Sequence, residues 1–526
     1  MNYRPANFFY RHKDLAGFTN PTRAIYGTVR ELVENSLDAA EVHGIRLKLQ
    51  IKMSRPNGEK PAEAREEKLH VRIEDNAGGV SREKIPTAFG RVLVSSKYRL
   101  RQTRGLFGLG GKMALIYGQS TTHEPFTIRS STGKRNPIVE YVMMIDIEKN
   151  APRILKRRRL QNPSGWHGTI IELTTRGDWA HAKQKILDYL MNTAIAAPYA
   201  TITFEDPDGV QHTYEPAAKD MPKAPTETKP HPSGLDIEAL KRLASTTKTT
   251  NLPAFLCSQF QRIGPVTAKK LLQFGGIHPR KDPHKLSREE LVQLSNAMNT
   301  YTEFKAPDAS CLSPIGAEQL EVGIKKQLQP AFVTTVTRKP SSYSGFPFIV
   351  EAGLAFGGEL PPNTAGKIPI IRFANKIPLL FDEGSDVARK AIDEVNWRLY
   401  RVDPTMPIVA FTSIVSTRIP FRSAGKEMVA DEVEVEREFL NCIRECARQL
   451  SHYLSRRQRA AHDKRRLDVY EKYLPKLAEF STKLAGKTKV PNIAPLLKAV
   501  VKYPQLSDDE TQDDEKDEAD TREKES

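Results

Sequence analysis

Residues 30–40 read Arg30-Glu31-Leu32-Val33-Glu34-Asn35-Ser36-Leu37-Asp38-Ala39-Ala40. At about 100° per residue, a helix brings Glu31, Asn35 and Asp38 within an arc of about 60°. Ile25, Val29, Leu32, Val33, Ala39 and Ala40 collect on the other side. A carboxylate one turn before a carboxamide, at the edge of a buried face, suits a site that holds both a water and a magnesium ion. The carboxylate orients or deprotonates the water. The carboxamide gives the metal a neutral oxygen without adding charge beside phosphates. The same residues also fit the polar face of an ordinary amphipathic helix, so the segments downstream have to decide.

This helix is well punctuated, with Asn20 able to cap it, Pro21 suited to its first turn and Gly44 ending it. Strands are expected at 47–53 and 69–74, forming a hairpin around a charged loop at 54–68. Asp75-Asn76-Ala77-Gly78-Gly79 follows directly. A carboxylate at a strand end can accept a hydrogen bond from an exocyclic amine such as that of adenine, and the glycines let the backbone pass close to the ring. A plain turn is the simpler use of such a segment. Gly105-Leu106-Phe107-Gly108-Leu109-Gly110-Gly111-Lys112 leads into an expected helix start at 113–117. Closely set glycines present consecutive N–H groups to phosphate oxygens, helped by the helix dipole and the charge of Lys112. The spacing matches neither a Walker A loop nor a dinucleotide fingerprint. Further strands at 126–129, 139–147 and 169–173 give an α+β domain that ends near Asp208.

The 526 residues leave room for about three domains. With 27% charged and 39% hydrophobic residues and no run of about 18 apolar residues, no membrane span is expected. Residues 1–20 lack the apolar core of a secretory signal, so a cytoplasmic, nucleoid-associated protein is expected. Cys257, Cys311, Cys442 and Cys446 are too scattered for a disulfide framework. Cys442 and Cys446 stand one helical turn apart near His452, but a zinc site lacks a fourth ligand, and buried thiols are the better reading. Residues 507–526 hold eleven acidic and three basic residues, a net −8, so with +16 on the whole chain the remainder carries +24. That surplus favours a polyanionic partner, nucleic acid first, and the tail reads as a solvated brush.

Residues 216–232 are Pro-rich and read as a linker. The following 75 or so residues read as mainly helical and contain Ile263-Gly264-Pro265, either a phosphate-binding helical hairpin or a tight interhelical turn. Strands are expected at 348–355, 369–374 and 407–412, then a long helix at 431–474 that Pro475 stops.

Taken in order, E-x-x-x-N-x-x-D on a helix, D-N-x-G-G after a strand and G-x-x-G-x-G-G-K resemble the GHKL nucleotide-binding fold. Type II topoisomerases, ninety-kilodalton heat-shock chaperones, MutL repair proteins and histidine kinases share that fold. The segments E-L-V-E-N-S-L-D-A, F-G-R-V-L-V-S-S-K-Y (89–98), R-Q-T-R-G-L-F-G-L-G (101–110), R-K-P-x-x-Y-x-G-x-P-F-I-V-E-A-G (338–353), A-N-K-I-P-L (374–379) and S-A-G-K-E (423–427) resemble the family of DNA topoisomerase VI B subunits. The resemblance spans about residues 8–472.

The resemblance implies an N-terminal strap (1–20), a GHKL ATPase domain (21–215), the linker (216–232) and a helix-two-turns-helix domain (233–308). A transducer with a long C-terminal helix (309–480) and an extension with the acidic tail (481–526) would complete the chain. It also implies that Glu31 is the general base for ATP hydrolysis, that Asn35 ligates magnesium and that Asp75 reads adenine. Thr169 would support Asp75 through water, and Ser96, Lys97 and the 105–112 run, Gly105, Leu106, Phe107, Gly108, Leu109, Gly110, Gly111 and Lys112, would hold the nucleotide. Lys426 would sense the γ-phosphate. Glu31 rather than Glu34 has the family's four-residue spacing to Asn35. Two departures are Ala77, where the family's D-x-G-x-G form has glycine, and Gly111, where a larger apolar residue is usual.

The partners implied are a DNA-cleaving topoisomerase VI A subunit in a heterotetramer, a second copy of this chain on ATP binding, and double-stranded DNA. The remaining alternatives are a clamp of the MutL or chaperone type and a catalytically silent DNA-binding scaffold.

Overall fold

Local chemistry fixes both ends of the helix that carries Glu31. In the computed structural model, which describes residues 5–12, 17–56, 66–93, 100–105, 109–422 and 426–496, α1 (Pro5–Arg11) precedes α2 (Pro21–His43). The Asn20 carboxamide accepts from the Arg23 N–H at 2.8 Å, and Gly44 closes the helix at φ 63°. Ile25, Val29, Leu32, Val33 and Ala40 are buried as the pattern requires. Arg30, Glu34 and Glu41 are buried with them, which the apolar pattern did not foretell.

The first sheet is built from β1 (Lys48–Ser54), β2 (Glu67–Asp75), β3 (Phe126–Ser131), β4 (Ile138–Asp146), β5 (Ala151–Leu160), β6 (Gly168–Gly177), β7 (Thr201–Glu205) and β8 (Gln211–Tyr214). Their order is β5-β4-β3-β6-β2-β1-β7-β8. β1 and β2 form the expected antiparallel hairpin, and β1 pairs in parallel with β7. Alternate residues such as Leu49, Ile51, Leu69, Val71, Ile73, Ile128 and Phe204 are buried in one core with α2, α4 (Gly110–Thr122) and α5 (Trp179–Ala196). The short α3 (Ile85–Gly90) precedes α4. The result is a two-layer α+β sandwich with α2 in its core. β5, β7 and β8 were not expected. The run Ala151-Pro152-Arg153-Ile154-Leu155-Lys156-Arg157-Arg158-Arg159-Leu160 has no apolar alternation, and it forms an exposed edge strand through its backbone pairing with β4.

Residues 215–231 carry neither helix nor strand, yet they are tethered: Ala218 N–H donates to Pro198 O, Thr226 N–H to Cys311 O and Thr228 N–H to Leu100 O. α6 (Ile237–Thr246), α7 (Leu252–Gln259), α8 (Pro265–Phe274) and α9 (Arg288–Thr300) surround a small core of Leu240, Phe255, Leu256, Leu271, Leu272 and Leu294. Gly264 sits at the N-cap position of α8, so Ile263-Gly264-Pro265 is the turn between two helices.

α10 (Ala317–Leu328), β9 (Phe332–Thr337), β10 (Ser341–Tyr343), β11 (Phe346–Phe356), β12 (Ile370–Ala374), β13 (Ile377–Leu379), α11 (Val387–Glu394), β14 (Ile408–Ser416) and α12 (Val433–Leu484) come next along the chain. The second sheet runs β10-β11-β14-β12-β13, with β9 also on β11. β11 is buried at every position and carries one charge, Glu351, whose carboxylate accepts from the N–H groups of Ile315 (3.0 Å) and Gly316 (2.6 Å) ahead of α10.

The chain divides into two compact units, Met1–Ala447 and Arg448–Ser526. Pro475 does not stop the last helix as expected: α12 continues through it to Leu484. A proline removes one i→i−4 hydrogen bond, and the good helix formers on either side carry the helix across the gap. Cys442 and Cys446 are buried thiols whose Sγ atoms lie 3.4 Å from Val336 O and 3.6 Å from Ala352 O. Among the described residues no helix is long and apolar enough to cross a membrane. The acidic tail lies outside the described residues.

Candidate active site

One corner of the site forms where β2 meets β6. β2 ends at Asp75, and the antiparallel partner strand begins with Gly168 and Thr169. Asp75 Oδ1 accepts from the N–H groups of Ala77 (2.9 Å) and Thr169 (3.1 Å), and Oδ2 accepts from Ser36 Oγ at 3.1 Å. Burial lifts the pKa of Asp75, and these three donors work against the rise. An oriented carboxylate of this kind keeps lone pairs for an amine donor. Gly168 is required here, because its φ is 134° and an added Cβ would stand 1.9 Å from Asp75 O. Ala77 causes no strain, since the left-handed turn residue is Gly79, at φ 68°. Thr169 Oγ1 lies 3.4 Å from Ser130 Oγ.

The other corner lies along α2. Arg30 Nη2 donates to Glu31 Oε1 at 3.0 Å, and Arg30 Nε lies 3.6 Å from Glu34 Oε1. Glu31 is buried and Asn35 exposed. α4 begins at Gly110, three residues earlier than expected, and it begins directly on these two side chains. An added Cβ at Gly110 would stand 1.6 Å from Glu31 Oε2, and one at Gly111 2.7 Å from Asn35 Nδ2. A larger residue at Gly111 would have to displace the end of the exposed Asn35 side chain. The first turn of a 13-residue helix therefore packs against the carboxylate–carboxamide pair. Lys112 is buried in the same first turn.

Lys426 reaches α2 from far along the chain. Its Nζ donates to Arg104 O at 3.1 Å and lies 3.9 Å from Glu34 Oε2. Glu34 is 2% exposed. Burial and the neighbouring Glu31 charge push its carboxyl up to about 7, although Lys426 and Arg30 pull the other way.

A third cluster adjoins this one. Arg104 Nη1 lies 3.1 Å from Asp38 Oδ1 and Nη2 lies 2.7 Å from Glu41 Oε1. Tyr199 Oη also donates to Glu41, and Lys376 Nζ lies 3.5 Å from it. Burial opposes ionisation of Glu41, but Arg104 and Lys376 prevail and hold the carboxyl at about 2. By helical angle, Arg30, Glu41, Glu34, Asp38, Glu31 and Asn35 form one stripe about 140° wide. The sequence reading took in only half of this stripe. Glu34, Glu41, Arg104 and Lys376 were missed as members of the buried charge network that adjoins the site, and the signal for them was the charged stripe itself and the segments 101–110 and 374–379.

The structure thus brings Glu31, Asn35, Gly110 and Gly111 together, joins Lys426 to Glu34, and joins Asp75 to Thr169. Ser36, next to Asn35 on α2, links the two corners through Asp75. Gly105 and Leu109 flank the glycine run, with Gly105 O accepting from Thr103 Oγ1 at 2.9 Å. Ser96, Lys97, Leu106, Phe107 and Gly108 lie outside the described residues, as do 423–425. Among the described residues no cluster of three or more His, Cys, Asp or Glu side chains could hold a metal. The donor chemistry instead fits a magnesium ion held by one neutral oxygen of exposed Asn35, with phosphate and water supplying the rest.

A family model described as "Topoisomerase VI B subunit, transducer" matches residues 307–466. The B subunit of a type 2 DNA topoisomerase 6 from Saccharolobus islandicus is 42% identical over 489 residues, covering 92% of this chain and 91% of the relative. The protein of the same name from Metallosphaera sedula is 41% identical over 476 residues, covering 90% and 88%. A solved MutL ATPase domain from Aquifex aeolicus, complexed with ADP, aligns at a TM-score of 0.33 and 13% identity, covering 79% of this chain and 96% of that one. A likeness at that TM-score carries no argument about function.

The depressed pKa of Glu41 sets a pH test. A carboxyl held at about 2, against about 4.3 when unfolded, stabilises fully above the unfolded value and loses that contribution as pH falls toward 2. Glu41→Gln is expected to cost about 3 kcal/mol near neutrality, because it leaves two buried cations short of a counter-charge. In urea unfolding at stepped pH, the deficit relative to wild type shrinks between about pH 4.5 and 2. A deficit independent of pH would contradict the assignment.

Proposed function

The chain belongs to the topoisomerase VI B-subunit family, and we propose that the charged stripe of α2 is the catalytic wall of the ATP site of this type IIB topoisomerase subunit. The observation that carries this reading is the placement of Gly110 and Gly111 directly over Glu31 and Asn35. Glu31 acts as the general base that aligns and deprotonates a water against the γ-phosphate, with Arg30 fixing one of its oxygens. Asn35 holds magnesium, which when bound neutralises charge on the phosphate oxygens. The first turn of α4, with Lys112, cradles the phosphates, and Ser96 and Lys97 add contacts. Asp75 accepts from the adenine amine, and Thr169 supports it through a water. Lys426 exchanges Glu34 and Arg104 O for the γ-phosphate and loses that partner on hydrolysis.

ATP binding then joins two copies of this chain around a captured duplex. The transducer passes the nucleotide state to an A subunit that cuts the other duplex, in a heterotetramer of two A and two B subunits, in the cytoplasm at the nucleoid. A chaperone or MutL-type clamp and a silent scaffold give way to the family match over nine-tenths of the chain.

One candidate DNA contact is β5. Arg153, Lys156, Arg157, Arg158 and Arg159 are all exposed on this edge strand. The last three line a cavity of about 560 Å³ together with Arg82 and Ser131. Charges on a sheet edge also prevent edge-to-edge pairing, so salt dependence separates the two roles.

Glu31→Gln is expected to lower the ATP turnover of the holoenzyme at least about a hundredfold while nucleotide still binds. Unchanged turnover would remove the base assignment. Replacing Arg157, Arg158 and Arg159 together by Gln should reduce the slope of log affinity for duplex DNA against log salt by about 2 to 3. An unaltered slope would leave those charges as edge protection alone.

A further inference from the structure

The segment just before the phosphate-binding glycines is tied to both the linker and the transducer. Leu100 O accepts from Thr228 N–H at 3.0 Å. Gln102 makes a reciprocal pair with the backbone of Ser313, donating to its O at 2.9 Å and accepting from its N–H at 2.7 Å. Thr103 O accepts from Asn375 Nδ2 at 3.1 Å. Arg104 shares Glu41 with Lys376, whose Nζ also donates to Ser313 Oγ at 2.9 Å.

Gln102, Arg104, Glu41, Lys376 and Asn375 are all buried. Asn375 and Lys376 form the turn between β12 and β13, and both are non-glycine residues in the left-handed region, at φ 48° and 66°. Such strain persists only where the surroundings hold it. Here they do: Asn375 Oδ1 accepts from Ser416 N–H at 3.0 Å and Asn375 N–H donates to Ile414 O at 2.8 Å, which locks the turn onto β14.

A buried network of this kind is a poor source of stability, because apolar residues of similar volume would serve as well or better. Polar networks do better at specifying one arrangement over another. We infer that residues 100–104 are a second sensor of nucleotide state, with Gln102, Arg104 and Lys376 as positioning residues that carry the position of the phosphate-binding segment into β12 and β14 by side-chain contacts other than the bond from Lys426 to Arg104 O. This rests on the reading of residues 105–112 as the phosphate cradle. The route has a short mechanical path. A shift of Gly105 pulls on Arg104 and Thr103, these pull on Lys376 and Asn375, and the turn they form is fixed to the central strands of the second sheet.

The test uses the holoenzyme with its A subunit and compares Lys376→Met, Gln102→Leu and Lys376→Arg with wild type and Glu31→Gln. Three quantities are read: affinity for a non-hydrolysable ATP analogue, ATP turnover, and supercoils relaxed per ATP hydrolysed. Lys376→Met and Gln102→Leu should keep affinity and turnover within about threefold while relaxation per ATP falls about tenfold, the size of a typical coupling free energy. Lys376→Arg, which keeps the charge, should restore most of that ratio. An unchanged ratio in both uncharged variants would overturn the inference and leave the network as packing. Loss of affinity and turnover in step with lowered thermal stability, unrescued by Lys376→Arg, would overturn it too. Normal turnover in Glu31→Gln would instead defeat the underlying reading of the ATP site, so the two failures are distinguishable.

Discussion

Three buried carboxylates on one helix, Glu31, Glu34 and Glu41, each have to be met by a cation. Arg30 serves Glu31 from the same helix. Glu34 draws on Arg30 and on Lys426, and Glu41 on Arg104 and Lys376. Removing one partner from such a pair costs about 3 to 5 kcal/mol, far more than the intact pair contributes. The remaining architecture can be read as the means of delivering those cations. The segment before the glycines brings Arg104, the β12–β13 turn brings Lys376 and the stretch before α12 brings Lys426. A helix that looks locally like one wall of a pocket is therefore also where distant parts of the chain meet.

This arrangement suits a nucleotide-driven device. Arg104 and Lys376 are sealed into the protein, whereas Lys426 holds a carbonyl oxygen and a carboxylate 3.9 Å away, partners that a terminal phosphate can outbid. A strained but anchored turn at Asn375 and Lys376 gives the transducer a stiff point of attachment. Stiffness matters because a displacement absorbed locally does no work at a distance.

Much of the fold was legible because local signals agreed with one another. The α2 boundaries followed from Asn20, Pro21 and Gly44, and the β1–β2 hairpin from strict alternation. β5 was not legible: its charges conceal a strand that exists through pairing with β4. Pro475 misled because one lost hydrogen bond was taken as sufficient to end α12. Glu31, Asn35 and Asp75 were singled out from their motifs and Lys426 from the family resemblance, and the structure joins Lys426 to Glu34 on the helix that carries Glu31 and Asn35. The burial of Glu34 and Glu41 could not be read in this way, since their cations arrive from as far away as residues 376 and 426. The surroundings of the two departures also show only in three dimensions: the left-handed turn residue near Ala77 is Gly79, and Gly111 lies beside the end of the Asn35 side chain.

The most direct test of this account is a structure of the complex of this chain with its A subunit, bound to magnesium and a non-hydrolysable ATP analogue. Lys426 Nζ should lie about 3 Å from a γ-phosphate oxygen, withdrawn from Glu34 and Arg104 O, with Asn35 Oδ1 on the metal and Glu31 facing the terminal phosphate. A seated nucleotide with Lys426 still on Glu34 and Arg104 O, or a metal that does not touch Asn35, would contradict it.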